Sequence, residues 1–115
     1  MVPVSATRLK PLVFLGSSRD DLRAMPDSVR HDIGRDLMRV QFGGQPVNFK
    51  PMSAVGVGAC EIRVHDESSA YRTIYVARFE NAVYVLHAFQ KKSRKTAKND
   101  IDLGKVRYRM IGNKS

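Results

Sequence analysis

Three β-forming stretches follow one another in the second half of the chain, with only short turns between them. Ala59–His65 alternates apolar and polar residues, whereas residues 71–79 and 82–89 are rich in β-branched and aromatic side chains. The turns are residues 66–69 and the pair 80–81. Strands joined by such short connections pair in opposite directions, so this part of the sequence predicts an antiparallel meander.

Two helices are predicted in the first half of the chain, after a first strand at residues 10–15. Ser17 or Ser18 can cap the first helix, and Pro26 interrupts it. A second helix at residues 26–41 is predicted from apolar side chains that recur every three or four positions and form one stripe: Met25, Val29, Ile33, Leu37 and Val40. The Gly-Gly pair that follows predicts its end.

These elements predict an α+β fold. The antiparallel sheet is expected to have about four strands, with two N-terminal helices packed on one face and a short C-terminal helix at residues 100–110. Residues 45–58 contain prolines and glycines and are expected to be irregular. The second face of the sheet would then remain open to a ligand. A single domain is expected over residues 1–115, because the chain is short for two ordinary domains.

The cysteine count and the length of the apolar runs indicate the cellular compartment. Cys60 is the only cysteine, which excludes a disulfide framework within the chain and fits a reducing compartment. The apolar run at residues 12–15 is far too short for a signal-peptide core or a membrane span. We therefore expect a cytoplasmic protein that does not engage a membrane.

Positive charge is concentrated in the last part of the chain. The formal net charge is +9, and residues 90–115 carry +7 of it, because nine basic residues there face only Asp100 and Asp102. The nine are Lys91, Lys92, Arg94, Lys95, Lys98, Lys105, Arg107, Arg109 and Lys114. A basic tail on a nearly neutral body indicates a polyanionic partner. A solvated helix that keeps the protein in solution is the simpler alternative.

A buried strand runs directly into a cationic loop at residues 86–96, LHAFQKKSRKT. Its four cations can hold phosphates, and the ring of Phe89 can stack on a base. The pattern is only moderately specific, since a solvated basic loop has the same composition.

Arg72 occupies an unusual position on a predicted strand. It alternates with the apolar residues Ile74 and Val76, so it should lie on the same face of the strand as they do. An arginine in line with apolar positions is rarely buried without a partner. Either Arg72 pairs with a carboxylate such as Glu61, or it opens onto a polar cleft, and the pattern does not choose. Glu61 and Arg63 share a sheet face, where they could equally form a solvated cross-strand pair.

These stretches resemble the RelE/HigB superfamily of type II toxin–antitoxin toxins, and most closely its phage-derived HigB branch. The similarity rests on CEIR at residues 60–63, YRTIY at 71–75 and the strand-exit motif at 86–96, with VQFGG at 40–44 in support. It covers roughly residues 10–109. Ala97 departs from the pattern, because proline is usual there; this bears on the entry to the last helix and not on the chemistry.

The resemblance implies a microbial RNase fold, RelE-like, and cleavage of messenger RNA on the translating ribosome without a metal or cofactor. It assigns the family arginine to Arg72 and the cations after the last strand to Lys91 and Lys92. It extends less firmly to Arg63, Tyr75, His87 and Phe89. RNA contacts are expected from Phe89, Arg94, Lys95, Lys98 and Tyr75. The implied partner is a helix-turn-helix antitoxin, HigA-like.

Residue chemistry suggests how such a site would work. The RNA supplies its own 2′-hydroxyl nucleophile, and Arg72 with Lys91 or Lys92 can stabilise charge on the phosphate. A lysine crowded by other cations can act as acid or base, and Glu61 and His87 are rival bases. His87 shares a strand with buried valines, which is more typical of a packed structural histidine.

Two other functions remain open from the sequence. A ParE-like toxin of the same fold would poison DNA gyrase without cutting RNA, and a non-enzymatic module would bind RNA through the basic tail. The cations at 91 and 92 together with Arg72 favour the RNA-cleaving toxin.

Overall fold

A computed structural model describes residues 9–112. They form five strands and three helices. In chain order these are β1 (Leu12–Phe14), α1 (Ser18–Arg23), α2 (Asp27–Gln41), β2 (Phe49–Pro51), β3 (Ala59–His65), β4 (Ala70–Val76), β5 (Val83–Lys91) and α3 (Lys98–Gly112). The mixed α+β class and the antiparallel meander of β3, β4 and β5 are confirmed. Lys114 lies outside the described residues.

The sheet differs from the expectation in two ways. It has five strands in the order β1-β5-β4-β3-β2, because three residues of the segment expected to be irregular pair with β3 as β2. It is also not wholly antiparallel, since β1 runs parallel to β5, with Val13 opposite Tyr84. The prediction of a four-stranded antiparallel sheet was therefore wrong in strand number and in the direction of the first strand.

The first face of the sheet is covered by α1 and α2, as predicted. The apolar stripe of α2, including Val29, Ile33 and Leu37, packs on Ile62 and Val85. Full burial of a side chain such as Ile33 contributes about 2 kcal/mol to stability. We call this side of the sheet the α2 face.

The second face, which we call the α3 face, is not left open. Ile74 and Leu86 form a second core with Ile111 of α3, a helix of 15 residues rather than a short one. Gly104 permits the close approach, because a Cβ at this position would lie 3.3 Å from Val55 and 3.6 Å from the Ile74 side chain. The expectation of a free face was wrong over this region, and a ligand can reach only the part beyond α3.

The helix boundaries follow local chemistry. Gly43, with φ +93°, ends α2 in the left-handed conformation expected of a glycine. Ser17 precedes α1, but its hydroxyl donates to Asp21 Oδ2 at 2.7 Å and does not cap the backbone. Within residues 9–112, no helix combines the length and apolar character needed to cross a membrane.

Candidate functional site

Polar side chains from four strands meet on the α3 face at one end of the sheet. The strand register places Glu61 opposite Lys50, Arg63 opposite Arg72, and Arg72 opposite Phe89. Residues directly opposite one another on paired strands share a sheet face. The sequence prediction that Glu61 and Arg63 share a face is confirmed, and Arg72 joins them there.

An irregularity in β5 brings that strand's polar residues to the same face. Tyr75 lies opposite Val85 while Ile74 lies opposite His87, so Leu86 is an extra residue in β5, a β-bulge. A bulge shifts the alternation by one, so His87 lies on the α3 face and not on the face of Val85. His87 shares β5 with the buried valines and is itself buried, as predicted, but it packs on the opposite face from them.

Arg72 and Glu61 form a buried ion pair. Arg72 Nε lies 3.5 Å from Glu61 Oε1, and the two side chains are 7% and 3% exposed. Arg72 Nη1 donates to the Tyr71 carbonyl at 3.0 Å, and Thr96 Oγ1 donates to Glu61 Oε2 at 2.7 Å. Burial lowers the pKa of Arg72, and Glu61 acts in the opposite direction. Of the two sequence alternatives for Arg72, the structure shows the carboxylate pairing.

A cleft of about 310 Å³ lies beside this pair, between the sheet and the loop that leaves β5. Glu61 is its only acidic lining residue among those described. Five cations share its wall: Lys50, Arg63, Lys91, Arg94 and Lys95. Such an excess of positive charge in a concave site favours a polyanion that can bind several cations at once.

The structure distinguishes the two adjacent lysines at the end of β5. Lys91 is the last residue of the strand and lines the cleft, whereas Lys92 follows the strand and is exposed. Partial burial lowers the pKa of Lys91, and the positive charges of Arg72, Arg63 and Lys50 lower it further, against an opposing effect of Glu61. Lys91 is thus the lysine that shares the cleft with Arg63.

His87 lies beneath the site surface rather than in the cleft wall. Its Nε2 is 2.7 Å from Asp100 Oδ1 of α3, and its ring stacks on Phe89 with centroids 4.6 Å apart. Phe89 is half-buried, and its position opposite Arg72 brings it to the site face. The arrangement anchors α3 to β5 beside the cleft.

Three predicted RNA contacts do not line this cleft: Phe89, Tyr75 and Lys98. Phe89 lies on the same sheet face but outside the lining. Tyr75 is buried on the α2 face, where burial, followed by its contact with Cys60, raises the pKa of its hydroxyl. Lys98 is exposed at the start of α3 and pairs with Asp102 at 2.9 Å. Arg94 and Lys95, by contrast, line the cleft as expected.

Three residues of the site were not assigned by the sequence. Lys50 lies in the segment expected to be irregular, and only the pairing of β2 brings it opposite Glu61. Thr96 was part of the strand-exit motif but had no role, and Asp100 was counted only as a charge. Their contacts join elements distant in sequence, so local pattern carries no signal for them.

A mixed five-stranded sheet with a cation-lined cleft over a buried Arg–Glu pair defines a small basic α+β protein suited to anionic ligands. The chain belongs to the family described as Phage derived protein Gp49-like (DUF891), which matches residues 20–109. That family is associated with RelE-like and other toxin-like proteins, which agrees with the superfamily resemblance at this coarser level. No curated protein matches the chain.

Proposed function

We propose that this Gp49-like protein is a toxin of the HigB branch that cuts messenger RNA on the translating ribosome. The observation that carries the proposal is the buried pair of Arg72 and Glu61 beside a cleft lined by five cations. Holding a guanidinium away from water costs free energy, and the protein stabilises it there with a carboxylate. Such fixed charge is what phosphoryl transfer needs from a protein.

The chemistry proceeds through the RNA's own 2′-hydroxyl. Its oxygen attacks the adjacent phosphorus, the bond to the 5′-oxygen breaks, and the products are a 2′,3′-cyclic phosphate and a 5′-hydroxyl. Arg63, in the cleft wall, stabilises the negative charge that develops on the phosphoryl oxygens, and Arg72, which is buried beside the cleft and does not line it, adds its positive charge. The proton of the 2′-hydroxyl passes to water, and no step requires a metal.

Lys91 supplies the proton that the leaving 5′-oxygen takes up. Its lowered pKa makes it a better proton donor than an ordinary lysine. Glu61 acts instead through Arg72, because both of its oxygens already have partners in Arg72 and Thr96.

The remaining cleft residues hold the substrate. Lys50, Arg94 and Lys95 bind flanking phosphates, which would give the affinity a strong dependence on salt. Phe89, on the same sheet face but outside the cleft lining, offers an aromatic ring on which a neighbouring base can stack. The same cationic surface suits an acidic segment of an antitoxin, whose binding there would block RNA; a helix-turn-helix, HigA-like protein is the proposed partner.

Inducible expression without a neighbouring gene tests this function in cells. Growth arrest with new internal 5′-hydroxyl ends in messenger RNA is the expected result, and Arg72→Ala should abolish both. Growth arrest with intact messenger RNA and stalled replication would overturn the proposal in favour of a gyrase poison. Intact messenger RNA without growth arrest would also overturn the proposal, and a non-enzymatic RNA-binding module would then be the remaining alternative.

A further inference from the structure

The bulge in β5 decides which side chains lie on the sheet face that carries the cleft. If β5 continued in the regular register set by Tyr75 opposite Val85, Arg72 would lie opposite Ala88 and Ala70 opposite Gln90. With Leu86 as an extra residue, Arg72 lies opposite Phe89 and Ala70 opposite Lys91. A shift of one residue moves every following side chain to the other face of the sheet. Without the bulge, Phe89 and Lys91 would therefore lie on the α2 face.

One buried side chain of α3 holds the extra residue. Arg107 Nη1 donates to the Leu86 carbonyl at 2.9 Å, and Arg107 Nη2 donates to Ser17 Oγ at 3.1 Å. Arg107 is 8% exposed and Leu86 is fully buried. The residue added at a bulge leaves the regular ladder, and a charged donor makes one of the stronger hydrogen bonds available to its carbonyl.

The chain also leaves space for this guanidinium. Gly16 has φ +56°, and a Cβ on it would lie 2.4 Å from Arg107 Nε. The loop between β1 and α1 therefore accepts Arg107 only with glycine at this position. Among the described residues Arg107 forms no ion pair, so its two hydrogen bonds fix its position.

We infer that Arg107 is a positioning residue of the cleft: by binding the Leu86 carbonyl, it holds the bulge that places Phe89 and Lys91 on the face of Arg72. The register is a property of the fold, whereas its consequence for RNA cleavage rests on the proposed function. Arg107 itself lies within the packed core and touches no substrate.

Disulfide trapping reports the register without reference to activity. In a Cys60→Ser background, Ala70→Cys is combined either with Lys91→Cys or with Gln90→Cys, and each protein is oxidised and its linked peptides are quantified. Directly opposite residues of paired strands come close enough for a disulfide, so the parent should link through position 91. Adding Arg107→Met should shift linkage toward position 90, changing the ratio by roughly tenfold, as expected for the loss of one charge-assisted hydrogen bond.

Arg109→Met is the matched control, because it removes the same charge from an exposed position of the same helix. Arg107→Lys, which keeps the charge and one donor group, should give an intermediate ratio and decides the question if Arg107→Met does not fold. An unchanged ratio in the folded Arg107 variants would overturn the inference. Because linkage is read without RNA, that result is distinct from a wild-type protein that fails to cut messenger RNA.

Discussion

Arg72 and Glu61 lie on adjacent strands with Nε and Oε1 3.5 Å apart, and both side chains are almost wholly withdrawn from solvent. Thr96 closes the arrangement by donating to the second oxygen of Glu61. The pair joins β3, β4 and the loop after β5, so the elements that form the cleft share one buried polar contact. Neither charge is well placed without the other.

This interdependence predicts a non-additive effect on stability. Arg72→Leu or Glu61→Leu alone should each cost about 3–5 kcal/mol, because one buried charge is left without its partner. The double variant should be more stable than at least one of the single variants, since no unpaired charge remains. Urea unfolding of the four proteins measures the coupling, and losses that simply add would contradict a direct interaction.

The titration of Lys91 should set the alkaline limb of the profile of cleavage activity against pH. Its pKa is lowered from the usual 10.5, so as pH rises it loses its proton, and with it the charge and the acid, earlier than an ordinary lysine. Cleavage should therefore fall at a pH below 10.5. In Lys91→Arg the remaining activity should persist to higher pH, because an arginine stays protonated there.

The control for the pH profile is Lys105→Arg, the same exchange on α3 away from the cleft lining. It should leave the limb in place. If the limb stayed in place in Lys91→Arg as well, Lys91 would not be the titrating group.

Removing the ring of Phe89 should lower the affinity for RNA. Phe89→Ala removes a half-buried ring, and stacking on a base contributes about 1–3 kcal/mol, so the dissociation constant should rise roughly tenfold. Fluorescence anisotropy with a short single-stranded RNA measures it. Tyr75→Phe should not change the affinity, because Tyr75 lies on the α2 face. An equal loss of affinity in Tyr75→Phe would contradict an RNA contact on the α3 face.

Much of the fold could be predicted because its signals are local. Alternation in β3 correctly placed Glu61 and Arg63 on one face, and the 3.6-residue period correctly identified the buried stripe of α2. The strand that the sequence did not predict, β2, has three residues and ends in a proline, so it is too short for an alternating pattern to be recognised. The parallel pairing of β1 depends on contacts about 70 residues away in sequence.

The site could be predicted in residue types but not in arrangement. Arg72 could be singled out because it is a charged residue at a position where the strand's alternation expects an apolar one. The pattern left pairing with Glu61 and exposure to a polar cleft equally open, and only the structure shows the pairing. The choice of Lys91 over Lys92 as the cleft residue depends on the bulge at Leu86. The sequence of β5 contains no residue that indicates a bulge. A period of two, counted along β5 without the bulge, assigns His87 to the wrong face.

The most direct measurement of the central claim uses purified protein with translating ribosomes and end-labelled messenger RNA. Cleavage and ribosome binding are followed together for the wild type, Arg72→Ala and the control Arg109→Ala. The wild type and Arg109→Ala should cut. Arg72→Ala, assayed at a temperature at which circular dichroism shows it folded, should bind with similar affinity and lose at least about a hundredfold in rate, the usual cost of removing one charge-stabilising group. Uncut messenger RNA with the wild type, or equal cutting by Arg72→Ala, would contradict an RNA-cleaving site built on Arg72.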